Sequence, residues 1–381
     1  MVVDDSAVIR GLITRMLEAD SEVRVVESVS NGQMAVNQLI RHKGEIDVII
    51  LDIEMPVMDG LTALPKLLEI DSNVKVIMAS TLTKRNAEIS LRAMSAGATD
   101  YVPKPSTARE LSGAESEFRR DLLDKVKGLG ILHRKASAPS RFGRTTPAPA
   151  AISRPGAAMS TPKTAAPADG APAKWELKRS TDVVLRDPGK SKPDILAVGS
   201  STGGPQALFD FFKALPKTLK VPVVITQHMP ATFTAILAEH ITKTTGWNCR
   251  EAQDGDVLEM GKILLAPGDY HMTVVQKGPQ RVVKLNQNPP ENFCRPAVDP
   301  MLRSLVDIYG GRVFTVILTG MGNDGQKGSK VVVEAGGTVI AQDEASSVVW
   351  GMPGAVATTG LCSAVMPVAE LAAYAARHIG S

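Results

Sequence analysis

Three carboxylates near the N-terminus follow short apolar runs that are typical of buried strands. Asp4 and Asp5 come directly after an apolar pair, and Asp52 ends the run VIILD. In an open α/β sheet, the carboxyl ends of parallel strands form the edge where ligands bind. Acids crowded at that edge repel one another, and hard oxygen ligands suit Mg²⁺. The pattern predicts a magnesium site in which Asp52 accepts a phosphoryl group as the nucleophile.

Two more polar residues are expected at the same edge. Ser80 follows an apolar run that ends at Ala79, and Lys104 lies in the segment YVPKP. The serine hydroxyl could bind a phosphoryl oxygen, and the lysine could pair with Asp52. A single acid in such a place could instead cap a helix, as Asp5 could do for the helix that follows it. The order of all five residues favours phosphoryl chemistry over capping.

A second group of reactive residues begins at Ser201. The stretch Gly199–Gly203 satisfies G-x-S-x-G where a predicted strand turns into a helix, a setting that exposes the serine hydroxyl. The following helix N-terminus favours an oxyanion. The alternative is a phosphate-binding turn for a nucleotide, which predicts an acid about 20 residues later at the next strand end. That place holds Gln227 and His228 instead, which weakens the nucleotide interpretation.

His228 and Asp324 supply the other two groups that a serine nucleophile needs. A lone histidine more often makes a structural hydrogen bond, but only His228 and His271 of the six histidines fall at plausible pocket positions. Asp324 follows the strand RVFTVILT on a Gly-rich loop. It could be a helix N-cap or the acid that fixes the imidazole tautomer. Because three strand ends converge, we favour a Ser201–His228–Asp324 triad with His228 as general base.

These residues require two sets of alternating strands and helices. Such alternation predicts parallel sheets covered by helices on both faces. We expect domains at 1–130 and 191–381, joined by a Pro/Ala-rich flexible linker at 131–190. A helix at 114–129 should complete the first domain. The candidate strands of the second domain are Asp194–Gly199, Pro222–Gln227, Lys262–Ala266, Arg312–Thr319 and Thr338–Ala341. Its candidate helices are Pro205–Ala214, Thr232–Thr244, Val298–Tyr309, Gly325–Ala335 and Pro367–His378.

Composition narrows the classes of protein that fit. The chain has 381 residues, so two domains of ~100–200 residues are expected. Its net charge of +3 gives no strong attraction to nucleic acid. The three cysteines form no CxxC pair, which argues against a disulfide framework or zinc site. No apolar stretch approaches the ~18 residues of a membrane span, and no export signal is evident. We expect a soluble, cytoplasmic monomer.

The first zone resembles the receiver domain of two-component response regulators through VVDDS, DVIILDIEMPVMDG, VIMAS and GATDYVPKP. The resemblance implies a doubly wound, flavodoxin-like fold of five strands and phosphorylation of Asp52 by a histidine kinase. It also implies Mg²⁺ at Asp4, Asp5 and Asp52, and switch roles for Ser80, Tyr101 and Lys104. Only three residues precede Asp4, so we expect either that the first strand is short or that the start of the sequence is assigned too late.

The second zone resembles the catalytic domain of chemotaxis protein-glutamate methylesterases through AVGSSTGGPQAL, VVITQHMPATFT, LLAPGDYHM, CRPAVDPMLRS and VILTGMGNDGQKG. The resemblance implies a Rossmann-like α/β fold and hydrolysis of glutamate methyl esters on chemoreceptors, with methanol released and no cofactor for the hydrolysis. It also implies deamidation of receptor glutamines and phosphorylation by the chemotaxis kinase. The site residues implied are the triad Ser201, His228 and Asp324, an oxyanion hole at Thr202 and Met321, and supporting roles for His271, Arg295 and Asp299.

Two other functions stay open from the residues alone. Receiver domains often precede DNA-binding modules, but the second zone shows no helix-turn-helix segment and no basic stripe. A serine esterase or amidase that acts on a small molecule would use the same chemistry. For the methylesterase, we expect the unphosphorylated receiver to cover the triad and exclude large substrates.

Overall fold

The structure is a computed structural model that describes residues 1–81, 83–104, 117–137 and 183–380. These residues form two α/β domains with parallel sheets, so the predicted fold class is confirmed. Most of the predicted linker lies outside the described residues. None of the described helices is long and apolar enough to cross a membrane.

The first domain contains a five-stranded parallel sheet in the order β2-β1-β3-β4-β5. Its strands are β1 (Val2–Val3), β2 (Ser28–Val29), β3 (Val48–Asp52), β4 (Lys75–Ser80) and β5 (Asp100–Pro103). The first strand is short, as expected, and pairs with both β2 and β3. Strand β3 is buried along its whole length because helices cover both faces of a parallel sheet.

Within the described residues, five helices surround this sheet: α1 (Ala7–Glu18), α2 (Gly32–Arg41), α3 (Gly60–Ile70), α4 (Lys84–Ser95) and α5 (Glu117–Ser137). A polar side chain caps the N-terminus of each of the first four by accepting a backbone N–H three residues on. The cap of α1 is Ser6, so Asp5 does not perform the capping role considered for it.

Helix α5 continues to Ser137, past residue 130 where the linker was predicted to begin. Its continuation is explained by burial: Leu129 and His133 are almost fully buried. The His133 ring lies 2.9 Å from Asp47 and 3.3 Å from Asp71 of the first domain. These tertiary contacts outweigh the low helix propensity of the two glycines in this helix, Gly128 and Gly130. Residues 114–116 of the predicted helix lie outside the described residues.

The second domain contains seven parallel strands in the order β14-β13-β12-β6-β7-β9-β8. They are β6 (Ile195–Ser200), β7 (Val223–Gln227), β8 (Asn248–Glu251), β9 (Lys262–Leu265), β12 (Val313–Ile317), β13 (Thr338–Gln342) and β14 (Ala364–Met366). An antiparallel hairpin of β10 (His271–Lys277) and β11 (Gln280–Asn286) lies outside this sheet. The five predicted strands are present, whereas β8, β14 and the hairpin were missed.

Six described helices cover the second sheet: α6 (Gly204–Ala214), α7 (Phe233–Thr245), α8 (Val298–Tyr309), α9 (Gln326–Glu334), α10 (Met352–Ala357) and α11 (Val368–Ile379). From β6 the chain moves to one side of the sheet for β7 and returns on the other side for β12. The reversal creates a topological switch point at the carboxyl ends of these strands, which is where open α/β sheets bind ligands.

The two domains are in contact. The ring of Tyr101 at the end of β5 stacks on Phe233 at the start of α7, with 4.5 Å between the ring centroids. Helix α4 packs against α6 and α7. On the other side, a side chain at Gly128 of α5 would meet Met321, which follows β12. The first domain therefore lies over the carboxyl edge of the second sheet.

Residues 183–190, within the stretch predicted as linker, pack on the second domain. Val183 joins its apolar core. The Arg186 N–H donates to the Cys362 carbonyl at 3.0 Å, and the Gly189 N–H donates to Thr338 Oγ1 at 2.9 Å. The second domain therefore includes residues 183–190, which the sequence had assigned to the linker.

Candidate active site

Ser201, His228 and Asp324 lie at the carboxyl edge of three neighbouring strands, β6, β7 and β12. The Ser201 N–H donates to the Thr319 carbonyl at 3.0 Å, which ties the end of β6 to the loop after β12. The His228 N–H donates to the Ser200 carbonyl at 3.1 Å, which ties β7 to β6. These two hydrogen bonds fix Ser201 and His228 relative to each other and to the start of the loop that carries Asp324.

His228 and Asp324 form a direct hydrogen bond of 2.7 Å between Nε2 and Oδ2. The Asp324 carboxylate also accepts the backbone N–H groups of Val298 and Asp299, at the N-terminus of α8. Burial alone raises the pKa of Asp324, but the His228 hydrogen bond and charge and these N–H groups outweigh it and hold the pKa below its usual range. Asp324 is therefore an ionised partner that can fix one tautomer of the imidazole.

The other ring nitrogen of His228, Nδ1, lies 3.3 Å from the sulfur of Cys294. Burial lowers the pKa of His228, yet Cys294 and Asp324 together outweigh burial and raise it well above its ordinary value. Sequence reasoning missed this neighbour because it weighed the cysteines only as disulfide or metal ligands.

The Ser201 hydroxyl makes no hydrogen bond to any residue that the structure describes, so the structure does not join Ser201 to His228. The two residues are instead linked through Gln227. Its side-chain amide donates to the Ser201 carbonyl at 2.9 Å and to the His228 carbonyl at 3.1 Å, and its oxygen accepts from Ser200 Oγ at 2.7 Å. Catalytic hydrogen bonds that are long or absent in a substrate-free site often form only in the complex.

Thr202 and Met321 present unused backbone donors beside Ser201. Neither N–H donates a hydrogen bond to a residue within the described ranges. The Thr202 backbone is held in place because its carbonyl accepts from Thr319 Oγ1 at 2.9 Å. Free N–H groups next to a nucleophile are the donors that an oxyanion hole requires.

The three supporting residues predicted from the resemblance occupy different places. Asp299 is fully buried and lies against Asp324 through its own N–H. His271 donates to the Pro289 carbonyl and accepts the Ala297 N–H, which shapes the loop before α8. Arg295 pairs with Asp269 at 2.6 Å. Within the described residues, neither His271 nor Arg295 forms a hydrogen bond with Ser201, His228 or Asp324.

In the first domain, ligand oxygens of Asp4, Asp5 and Asp52 lie within 4.8 Å of one another at the carboxyl edge of the sheet. Lys104 Nζ bridges two of these acids, at 2.7 Å from Asp4 and 2.6 Å from Asp52. Burial raises the pKa of Asp52, and Lys104 partly offsets that rise. Three carboxylates with oxygen ligands fit a hard divalent cation.

Ser80 and Tyr101 lie on the next two strands of the same sheet. The Ser80 hydroxyl is 3.1 Å from Ser90 Oγ of α4, the helix that contacts the second domain. Tyr101 is buried, and burial raises its pKa well above the ordinary value. Burial raises the pKa of its neighbour Asp100, and the charge of Lys125 and, to a smaller extent, the Thr202 hydroxyl counteract that rise. Of the predicted switch residues, Lys104 contacts Asp52, and Tyr101 contacts the second domain through Phe233.

Two open parallel sheets, one with an acid pocket and one with a histidine–aspartate pair at its switch point, define a response regulator with an enzymatic α/β output domain. Family models agree: one described as response regulator receiver domain matches residues 1–114, and one described as CheB methylesterase matches residues 196–375.

Proteins of similar sequence match almost the whole length of this chain. Protein-glutamate methylesterase/protein-glutamine glutaminase 1 of Paramagnetospirillum magneticum is 56% identical over 375 residues, with 98% of this chain and 94% of the relative covered. The corresponding protein of Azospirillum brasilense is 56% identical over 384 residues, with 98% and 91% covered. The crystal structure of the Thermotoga maritima CheB methylesterase catalytic domain is 38% identical, covers 49% of this chain and 99% of that chain, and has a TM-score of 0.48. The chain therefore belongs to the protein-glutamate methylesterase/protein-glutamine glutaminase family, and it is an enzyme, a carboxylic ester hydrolase.

Proposed function

We propose that this protein hydrolyses glutamate methyl esters on chemoreceptors by a Ser201–His228–Asp324 triad, under the control of Asp52 phosphorylation. The observation that supports the proposal is the position of these three residues at the ends of neighbouring strands, with His228 bonded to a buried, ionised Asp324. The names of the relatives give the substrate class, protein-glutamate esters, and the chemotactic role in adaptation follows from it.

In the acylation step, Ser201 Oγ attacks the ester carbonyl and His228 takes the hydroxyl proton. Since Nε2 faces Asp324, the proton goes to Nδ1, where Ser201 replaces Cys294 as the partner. The oxyanion accepts the N–H groups of Thr202 and Met321. The tetrahedral state then collapses, the C–O bond to the methoxy group breaks, and the imidazolium protonates the departing methanol.

In the deacylation step, His228 takes a proton from water, and the resulting nucleophile attacks the acyl-Ser201 carbonyl. Collapse of this second tetrahedral state releases free glutamate and returns the proton to Ser201. A receptor glutamine passes through a similar tetrahedral state, with ammonia as the leaving group. The same site is therefore proposed to deamidate glutamine, and neither reaction requires a cofactor.

The receiver is proposed to accept a phosphoryl group on Asp52 from a histidine kinase of the chemotaxis system. Asp4, Asp5 and Asp52 would hold Mg²⁺, which neutralises charge on the incoming phosphoryl group. Lys104 now bridges Asp4 and Asp52, and phosphorylation would give it a new anionic partner. The Ser80 hydroxyl would donate to a phosphoryl oxygen and so give up its contact with Ser90.

The receiver is proposed to act as a gate over the triad. Contacts at Phe233, Thr202 and Met321 place it against residues on both sides of Ser201. Such a gate would exclude a receptor helix more strongly than a small ester. Phosphorylation shifts the balance towards an open arrangement, for which a few kcal/mol of differential interface stability is enough.

The direct test of the chemistry is methanol release from methyl-labelled receptor membranes by full-length protein. Ser201→Ala is expected to reduce the rate by at least about 10³-fold, because the nucleophile is lost. Cys294→Ala is the matched comparison, since Cys294 is the other potential nucleophile beside His228. It is expected to retain activity, because its removal leaves Nδ1 free for Ser201. Loss of activity in Cys294→Ala with full activity in Ser201→Ala would reject the proposed triad.

A further inference from the structure

The loop between β11 and α8 contains a tight turn over residues 291–294. Glu291 and Cys294 exchange backbone hydrogen bonds of 3.1 and 2.8 Å. The two residues between them, Asn292 and Phe293, have φ values of 52° and 63°. Positive φ at both central positions is the pattern of a type I′ turn, in which asparagine is favoured. Phenylalanine adopts this backbone only at an energetic cost, so the conformation is held in place by its surroundings.

This turn aims the Asn292 side chain at two buried acids. Its Nδ2 lies 3.0 Å from Asp324 Oδ1 and 3.2 Å from Asp299 Oδ2. A side-chain amide has two N–H donors, one for each carboxylate. The acids themselves are 1% and 0% exposed, so water does not screen the repulsion between them. Burial first, and then the charge of Asp324, raise the pKa of Asp299, whereas Asn292 counteracts that rise.

The other hydrogen-bond donors to the two carboxylates show which contacts would be lost with Asn292. Asp324 has three backbone donors, from Val298, Asp299 and Gly325, in addition to His228. The Asp299 carboxylate has one other donor, the Gly328 N–H at 2.7 Å. Among the described residues, Asn292 is the one side chain that bonds both acids. Its removal leaves Asp324 Oδ1 facing Asp299 Oδ2 with no donor between them.

We propose that Asn292 is a positioning residue of the active site: its amide fixes Asp324 against Asp299 and so sets the direction in which Asp324 holds His228. The inference rests on the proposed function for its kinetic consequence. The positioning role accounts for the strained turn beside the site. If the turn shifted by one residue, the Asn292 amide would no longer reach the two acids.

The test compares two glycine variants of the full-length protein. Asn292→Gly removes the amide but keeps positive φ accessible, so the turn can persist. It is expected to lower kcat for receptor ester by roughly 10- to 100-fold because the base is misdirected, with KM within about twofold and the melting temperature little changed. Phe293→Gly is the matched control in the same turn. Because the Phe293 ring also contacts Arg120 of α5, all variants are compared in the presence of phosphodonor, where Phe293→Gly is expected to keep kcat. Asn292→Asp, which replaces donors by a third carboxylate, should lose at least as much activity as Asn292→Gly.

A second readout does not depend on activity. The low-field proton NMR signal of the His228 Nε2–H, assigned by its loss in Asp324→Asn, reports the hydrogen bond directly. It should weaken or shift in Asn292→Gly and stay unchanged in Phe293→Gly. An unchanged signal in Asn292→Gly, or equal effects of both glycine variants, would overturn the positioning role. Absence of methanol release from wild type, with the NMR difference intact, would reject the proposed function instead.

Discussion

His228 lies between two groups that favour its charged form, although a general base must be neutral to accept a proton. Asp324 bonds Nε2, and the Cys294 sulfur faces Nδ1. Burial lowers the pKa of His228, but Cys294 and Asp324 raise it by more, so the pKa lies well above 6.5. The fraction of enzyme with a neutral imidazole therefore increases as the pH rises through this raised pKa. We therefore predict that protonation of His228 limits the rate of hydrolysis near neutral pH.

The pH dependence of kcat/KM tests this balance. For wild type, the rate should rise with pH and have its acid-side midpoint above pH 6.5. Cys294→Ala should move the midpoint to lower pH, because the neighbour that raises the pKa of His228 most has been removed. Stopped assays of methanol release across the pH range measure both profiles. Cys249→Ala, a buried cysteine of β8, is the control and should leave the midpoint in place; identical profiles for Cys294→Ala and wild type would contradict the prediction.

At the scale of elements, the loop after β12 must approach the turn after β6 very closely. Gly320 makes this possible: a β-carbon there would lie 2.8 Å from Ser201 Cβ, 3.0 Å from Ser201 N and 2.5 Å from Met352 Sδ. The Gly320 carbonyl also accepts the N–H groups of Gly351 and Met352, so the loop is held from its far side. The position of the nucleophile therefore depends on the absence of a single methyl group.

Gly320→Ala should accordingly reduce kcat by roughly 10²-fold, because the new methyl group displaces Ser201 from its attack position. Overpacking should also cost about 1–3 kcal/mol of stability. Gly11→Ala, on helix α1 of the receiver, is the control, since nothing lies within 4 Å of a β-carbon there and its φ is not positive. Methanol release and thermal unfolding are measured for both variants. Full activity in Gly320→Ala would mean that Ser201 is not held by this contact.

The elements that carry Ser201, His228 and Asp324 could be predicted because each residue follows an apolar run, and parallel strands end at a common edge. Helix α8 was predicted with its observed bounds for a similar reason, since its apolar face repeats at helical spacing. The hairpin β10–β11 escaped prediction because only part of it is buried. The contacts of Asn292 and Cys294 could not be read from the sequence, since they depend on a turn whose backbone angles have no apolar pattern.

At the scale of the whole molecule, helix α5 of the receiver packs against the active-site loop at a glycine, where α5 has no side chain. Gly128 lets α5 approach so closely that an added β-carbon would lie 2.7 Å from Met321 Cε. Lys125, one turn earlier, donates to the Tyr101 carbonyl at 2.7 Å, and Tyr101 stacks on Phe233. The helix and the end of β5 therefore form one surface against the second domain. A larger side chain at Gly128 should separate the two domains at this point.

The graded pair Gly128→Ala and Gly128→Leu tests whether this contact closes the gate. The alanine methyl group can be accommodated by a small shift of the flexible Met321 side chain, so its effect should be slight. Leucine is too large for that adjustment, and it should raise the rate of receptor demethylation without a phosphodonor by roughly 5- to 50-fold, which corresponds to about 1–2 kcal/mol of lost interface stability. Methanol release from receptor membranes is measured with and without phosphodonor, beside hydrolysis of a small ester. Because a small ester is less obstructed by the receiver, the rate of its hydrolysis should change little. A fall in that rate would show damage to the oxyanion donor at Met321. An unchanged rate of receptor demethylation in Gly128→Leu would mean that α5 does not hold the gate closed.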